Sequence, residues 1–219
     1  MSCGPRVRPW RRPAGGEDPC ERLIERLVPH VADERVLNAL RSVPRERFVP
    51  ADLQADAWDN VALPIGSGQT ISQPLVVARM CELLALTGAE RVLDVGTGSG
   101  YHAAVLAQLA GHVWSVERHP ELSALAAASL ASAGVENVTL LVGDGTLGHT
   151  QAAPYDAINV AAAMDEVPAQ LTAQLAEGGR LVGPVDTGDQ RLILLRREPG
   201  GIARSAHERV RFVPLVPGD

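Results

Sequence analysis

The chain has 219 residues, of which 46% are hydrophobic, and a formal net charge of −6 at pH 7; that is enough apolar material for one α/β domain with a substantial core. All 20 basic residues are arginine, and the acidic balance argues against binding to a phosphate backbone, so nucleic acid is not an expected partner. No apolar run approaches the ~18–20 residues of a membrane span, and the arginine-rich N-terminus lacks the apolar stretch of a secretory signal.

Cys3, Cys20 and Cys81 are far apart and lack CxxC spacing. That pattern fits a reducing, cytoplasmic compartment rather than a disulfide framework. The six histidines are scattered without metal-ligand spacing, so no metal site is expected.

Residues 1–20, rich in Pro, Gly and Arg, read as a disordered arm. Residues 21–219 read as a single domain, in which 21–90 form an N-terminal helical and loop region. Glu21 to Val28 has apolar residues on one helical face and stops at Pro29. Asp33 is placed to cap a helix over Glu34–Leu40. Val43–Pro50, bounded by prolines, reads as a loop. A second loop, Leu63–Pro74, carries glycines, prolines and hydroxyl side chains. It leads into a helix that starts near Pro74, ends near Gly88 and turns Leu75, Val76, Met80, Leu83 and Leu84 to the core.

From Arg91 the pattern alternates. Arg91–Val95 is an apolar run that suits a buried parallel strand. Gly96, Gly98 and Gly100 follow at alternate positions, then the helix formers Tyr101–Leu109. His112–Val116 forms the next strand and ends at Glu117, at about the 20-residue offset of a ribose-binding carboxylate. A helix over Glu121–Ala133, strands at Val138–Val142 and Tyr155–Val160, a helix over Pro168–Leu175 and a strand at Arg180–Val185 complete the alternation. Gln190–Arg197 and Ala203–Val213 suit a closing hairpin. The fold class is therefore α/β: a Rossmann-like, mostly parallel central sheet with helices on both faces and an N-terminal helical segment. A dinucleotide turn needs its third glycine at position 101, where Tyr101 stands, so an NAD-dependent dehydrogenase is disfavoured.

The spacing from Asp94 to Gly100 resembles motif I of class I S-adenosylmethionine (SAM) methyltransferases. Further segments are similar to one family within that class, the protein-L-isoaspartate (D-aspartate) O-methyltransferases. They are Val43–Pro50 (VPRERFVP), Leu63–Pro74 (LPIGSGQTISQP), Val92–Ala107, Ser115–Arg118, Gly143–Gly145, Ala153–Ile158, Gly178–Val185 and Val210–Leu215. GQTISQP is the most family-specific of them. The chain departs from the family pattern at Trp58 (usually Tyr), His102 (usually Gln), Asn159–Ala161 (usually ending in Thr) and Asp186.

The resemblance implies methyl transfer from SAM, giving S-adenosylhomocysteine (SAH), to the free α-carboxylate of isoaspartyl residues in proteins or peptides, by a monomeric cytoplasmic enzyme. It implies Ser72 and Thr70 as catalytic contacts; Asp94, Gly96, Thr97, Gly98, Ser99, Gly100, Tyr101, Glu117, Arg118, Asp144 and Gly145 around the cofactor; and Ile65, Gln69, Ile71, Arg211, Phe212 and Val213 around the substrate. Other roles stay open. Ser72 can cap the helix at Pro74, Thr70 can serve only the turn, Asp144 can be an N-cap, and Arg211–Val213 can be a plain strand. Two alternatives remain beside protein repair: esterification of one dedicated precursor peptide, and a non-catalytic SAM-binding module.

Overall fold

The computed structural model describes residues 18–218, so most of the expected arm, with Cys3, lies outside the described residues. Helix α1 (Pro19–Leu27) begins before Glu21, because Asp18 caps it by accepting from the Cys20 amide at 2.9 Å and Pro19 fits the first turn. Cys20 is buried, so it belongs to the domain and not to the arm. Helix α2 (Glu34–Ser42) is capped by Asp33, which accepts from the Arg35 amide at 2.9 Å. The expected loop after it tightens into 3-10 turns at Arg45–Phe48 and Ala51–Asp56.

The glycine- and proline-rich stretch contains an antiparallel hairpin that the sequence pattern does not announce: β1 (Leu63–Gly66) and β2 (Gln69–Ile71). Ser67 and Gly68 turn it with φ of 49° and 69°, the left-handed pair that a two-residue hairpin turn requires. Helix α3 (Pro74–Leu84) stops earlier than expected, at left-handed Ala85, well before Gly88. Met80 and Leu84 are buried as expected. Leu75, Val76 and Leu83 are half-buried at its margin, while Val77, Ala78 and Cys81 take the innermost positions.

The central sheet has seven strands in the order β5-β4-β3-β6-β7-β8-β9. They are β3 (Arg91–Val95), β4 (His112–Glu117), β5 (Val138–Val142), β6 (Tyr155–Val160), β7 (Leu175–Asp186), β8 (Gln190–Glu198) and β9 (Gly201–Arg209). β5 through β7 run parallel, and β8 and β9 close the sheet antiparallel. Helix α6 (Ala169–Ala173) is shorter than expected, and β7 starts at Leu175. Gly178 and Gly179 do not end an element. They lie within β7, opposite a register slip between Tyr155 and Ala157, as glycines at a strand irregularity do. β9 ends at Arg209, so Val210–Val213 leave the sheet instead of continuing it.

Strand alternation splits the core in two. Val92, Val113, Ala157 and Val182 face a cluster built with α1 to α3, α4 (Tyr101–Leu109) and α5 (Pro120–Ala133). Leu93, Val95, Ile158 and Leu181 face a smaller one with Leu171 of α6. From β3 the chain winds outward through β4 to β5, then returns to place β6 on the other side of β3. The loops after β3 and β6 therefore diverge around a crevice at their C-terminal ends, where open α/β sheets bind ligands.

Candidate active site

The turn after β3 forms one wall of that crevice. Gly96, Gly98 and Gly100 have φ of 91°, 53° and 86°, a region open to glycine without strain. The Gly96 amide donates to the Val116 carbonyl at 2.9 Å, and the Gly98 amide to Glu117 Oε2 at 2.8 Å. Glu117 also accepts from the His119 amide at 3.0 Å through Oε1, so one carboxylate ties the turn to the end of β4.

Beside the turn lies a first cavity. Of the residues expected around the cofactor, Gly96, Gly98, Glu117, Arg118 and Gly145 line it. Val116, His119, Ala161, Ala162 and Pro214–Val216 also line it, with no signal in residue type alone, as does Val213, which was expected around the substrate. Gly145 packs so closely that a Cβ would stand 2.5 Å from Val95 Cγ1. Gly145→Ala is expected to displace this wall and lower stability by about 1–3 kcal/mol, the usual cost of overpacking. A urea titration of the ligand-free variant reads it, and an unchanged midpoint would contradict it.

Several expected contacts of this cavity lie elsewhere. Asp94 alternates with Val95 along β3, so Val95 meets the cavity while Asp94 points to the helix-covered face and is fully buried. Its carboxylate accepts from Ser115 Oγ and Asn159 Nδ2, both at 2.7 Å. Burial pushes its pKa up to about 6, against those two hydrogen bonds. Thr97 turns inward, with its hydroxyl 2.6 Å from Ser115 Oγ. Ser99 Oγ accepts from the Tyr101 amide at 3.3 Å and stays local. Gly100 touches α5, where a Cβ would stand 3.2 Å from Ala126 Cβ, so its small size serves helix packing. Tyr101 is buried in the core, its ring edge-on to Phe48 at 5.7 Å. Asp144 is an N-cap: its Oδ1 accepts from the amide and hydroxyl of Thr146 at 2.8 and 2.7 Å. It lines a separate surface depression with Leu147 and His149.

The β1–β2 hairpin forms the opposite wall. Ile65 Cδ1 lies 3.3 Å from the position of a Cβ on Gly98, so the hairpin rests on the glycine turn. Ile65 and Ile71 are thereby buried and line neither this cavity nor the next. Gln69 lines the first cavity. A second cavity begins where the first ends, lined by Ser72, Gln73, Val76, Arg209, Arg211 and Phe212 among others. Thr70, Ala161 and Val213 line both cavities and mark the junction. The Ala163 amide donates to the Val213 carbonyl at 2.8 Å, and the Leu215 amide to the Ala163 carbonyl at 2.6 Å. Those bonds seat the C-terminal segment as a loop wall of both cavities, not as the sheet strand expected for Arg211–Val213.

Ser72 does not cap α3. The Leu75 amide is served by Asn60 Oδ1 at 3.0 Å, and the residue at the cap position is Gln73. The Ser72 carbonyl is held from below by Arg45, whose Nη2 donates to it and to the Val61 carbonyl, both at 3.0 Å. Arg45 Nη1 donates to the Ala57 carbonyl. This guanidinium is fully buried and lies 5.5 Å from the centre of the Tyr101 ring. Sequence reading missed it, since an arginine in a Pro-bounded stretch looks like a surface charge. Among the described residues no three or more His, Cys, Asp or Glu side chains gather as a metal site, and no helix is long and apolar enough to cross a membrane.

A crevice between a glycine turn and a hydroxyl-bearing hairpin, joined at Thr70, now stands beside a family match. The family described as protein-L-isoaspartate(D-aspartate) O-methyltransferase matches residues 19–219. The chain belongs to that family. A solved protein-L-isoaspartate O-methyltransferase shares the family fold at 29% identity over 89% of this chain, with a TM-score of 0.82; the chain spans 65% of that protein. A second solved structure, from Plasmodium falciparum, is described as a protein-L-isoaspartate O-methyltransferase in complex with SAH. It shares the fold at 24% identity over 91% of this chain and 99% of its own, with a TM-score of 0.78.

Proposed function

We propose that the protein methylates the free α-carboxylate of L-isoaspartyl residues in damaged proteins and peptides, with SAM as methyl donor, so that the ester can close to a succinimide and hydrolyse in part to normal aspartate. The observation that carries this reading is the junction of the two cavities at Thr70, with Ser72 on the second cavity's wall and free of any capping duty. Membership of the family and the SAH held by the P. falciparum protein support it. The lining of the first cavity suits such a donor. Gly96 and Gly98 leave room for its chain, Glu117 offers a carboxylate to ribose hydroxyls, and Val116, Ala162 and Leu215 supply apolar surface. Arg118 lines the same cavity.

SAM supplies a methyl group on a cationic sulfur. A carboxylate oxygen forms the new C–O bond as the C–S bond breaks, and the electron pair of that bond neutralises the sulfur. An α-carboxylate is ionised at neutral pH, so no strong general base is required. The protein's task is positioning, worth up to roughly 7–11 kcal/mol of barrier when reacting atoms are held in line. Thr70 and Ser72 donate hydrogen bonds that aim the carboxylate without adding a competing positive charge. Arg211 and Phe212, on the C-terminal wall, face the peptide around it. The same reading makes damaged proteins or peptides the partners of a cytoplasmic, monomeric enzyme that needs neither metal nor nucleic acid.

The test is a pair of peptides that differ only in an isoaspartyl or aspartyl linkage. Methylation of the first and not the second is expected, and equal labelling of both would overturn the assignment. Ser72→Ala is expected to lower kcat/KM for the isoaspartyl peptide about 10- to 100-fold, the worth of one hydrogen bond to a charged group. SAH affinity should be unchanged, because Ser72 lies outside the first cavity.

A further inference from the structure

Beneath the glycine turn runs a continuous buried polar chain that links five elements. Ser115, Asp94 and Asn159 are register partners across β4, β3 and β6, so their side chains form one row on the helix-covered face. The row extends at one end to Thr97 in the turn. At the other it reaches His102 on α4, whose Nδ1 lies 3.3 Å from Asn159 Nδ2 and whose Nε2 lies 3.6 Å from Cys81 Sγ on α3. All six side chains are buried.

With Asp94 ionised, the protons of this chain follow from the bonds. Ser115 has one hydroxyl proton and gives it to Asp94, so Thr97 must donate to Ser115. Asn159 Nδ2 has two protons. One goes to Asp94 Oδ1 and the other to His102 Nδ1, which makes that nitrogen the acceptor and leaves Nε2–H facing Cys81. This arrangement requires a neutral histidine, and burial lowers the His102 pKa to about 3. An ionised Asp94 accepts from both sides, whereas a protonated one would donate to Ser115 and turn the Ser115 hydroxyl toward Thr97. The titratable groups around Asp94 are His102 on α4, Cys81 on α3, whose thiol burial pushes up, and Glu117 at the end of β4, whose charge opposes ionisation. Asp94 thus holds its charge through Ser115 and Asn159.

We propose that His102 and Asn159 are positioning residues for the glycine turn: they hold Asp94 ionised, Asp94 orients Ser115, and Ser115 fixes Thr97 and with it the Gly96 and Gly98 backbone that lines the first cavity. The two residues touch each other. Asn159 Nδ2 and His102 Nδ1 satisfy each other and extend the row, while Asn159 Oδ1 stays buried without a partner. The proposal rests on the reading that SAM and SAH bind at the turn.

The experiment follows two quantities against pH in wild type, Asn159→Ile, His102→Gln and His102→Leu. They are the SAH dissociation constant by calorimetry and the unfolding free energy of the ligand-free protein, the latter also in Asp94→Asn. The native pKa of Asp94 lies above its ordinary value, so the native state gains protons first on acidification. Wild-type stability relative to Asp94→Asn should therefore rise as pH falls from 7 through about 6 toward 4. Asn159→Ile removes a donor that favours the carboxylate, so that rise should begin about one pH unit higher. The acidic loss of SAH affinity should move with it, giving about tenfold weaker binding near pH 6. His102→Gln keeps an acceptor for Asn159 and should restore the wild-type profile, whereas His102→Leu should shift it the same way as Asn159→Ile. Should Asn159→Ile fail to fold, Ser115→Ala removes the other donor and should shift the profile in the same direction. Superimposable pH profiles, with or without a loss of stability, would leave these residues a packing role only and overturn the proposal. If wild type binds no SAH, the cofactor reading fails, and this proposal falls with it even where the Asp94 titration in the ligand-free protein moves as described.

Discussion

Arg45→Leu should cost kcat/KM for an isoaspartyl peptide about 100-fold while SAH affinity changes much less. The reason is where the three hydrogen bonds go. Ala57 and Val61 precede the hairpin and Ser72 follows it, and one guanidinium gathers their carbonyls. Bonds from a charged donor contribute roughly 1.5–3 kcal/mol each, and a buried acceptor left bare costs its desolvation. The loss of positioning at Val61 and Ser72 alone amounts to about 3 kcal/mol, or two decades in rate. The first cavity is less exposed to this loss, because Gly96, Gly98 and Glu117 are braced by β4 and not by Arg45. Arg45→Lys should recover only part of the activity, since a single ammonium cannot span acceptors that the planar fork reaches together. Peptide KM and SAH affinity measured on the same preparations separate the two walls. An Arg45→Leu protein with wild-type kcat/KM would show that the hairpin holds its shape without the clamp.

The parts of the fold legible in the sequence are those where one local rule decides. β3, α4, β5 and β6 lie at the expected residues because a five- or six-residue apolar run or a block of helix formers ends at a glycine or a turn. The hairpin was not legible for the opposite reason. Pro64, Gly66 and Gly68 read as breakers, and strand character there comes from pairing over a left-handed turn and from Ile65 resting on Gly98. Val210–Val213 carried a strand-like pattern, but that segment is drawn off the sheet by Ala163, which belongs to a loop distant in sequence.

The site was legible as a set of segments and less so as a set of side chains. Family likeness names the turn and the hairpin, yet which residue of each faces the crevice depends on strand phase and on φ. Val95, not Asp94, meets the cavity because β3 alternates. Tyr101 goes to the core beyond the positive φ of Gly100, where it packs on Phe48 and Arg45. The polar row had a signal that was available and unused. Asp94, Ser115 and Asn159 are each a polar residue set between two apolar neighbours near the end of a strand, and three such strands side by side bring them together.

Glu117→Ala carries the other large expected effect, a loss of SAH affinity of about 100- to 1000-fold. The side chain has two separable duties, which the prediction must tell apart. It braces the turn, accepting from the Gly98 and His119 amides, and it lines the first cavity, where a ribose diol would find it. Loss of the brace alone frees two amides that water can reach from the cavity, and should lower ligand-free stability by about 1–3 kcal/mol. Loss of the diol contact removes hydrogen bonds to a charged acceptor, about 1.5–3 kcal/mol each. A 2′-deoxy analogue of SAH separates these duties by a double-mutant cycle. Wild type should bind the analogue at least tenfold more weakly than SAH, whereas Glu117→Ala should bind the two nearly alike, since the partner of the missing hydroxyl is already gone. Additive losses from the variant and the analogue would assign Glu117 to the brace alone and move ribose recognition to another residue of the crevice.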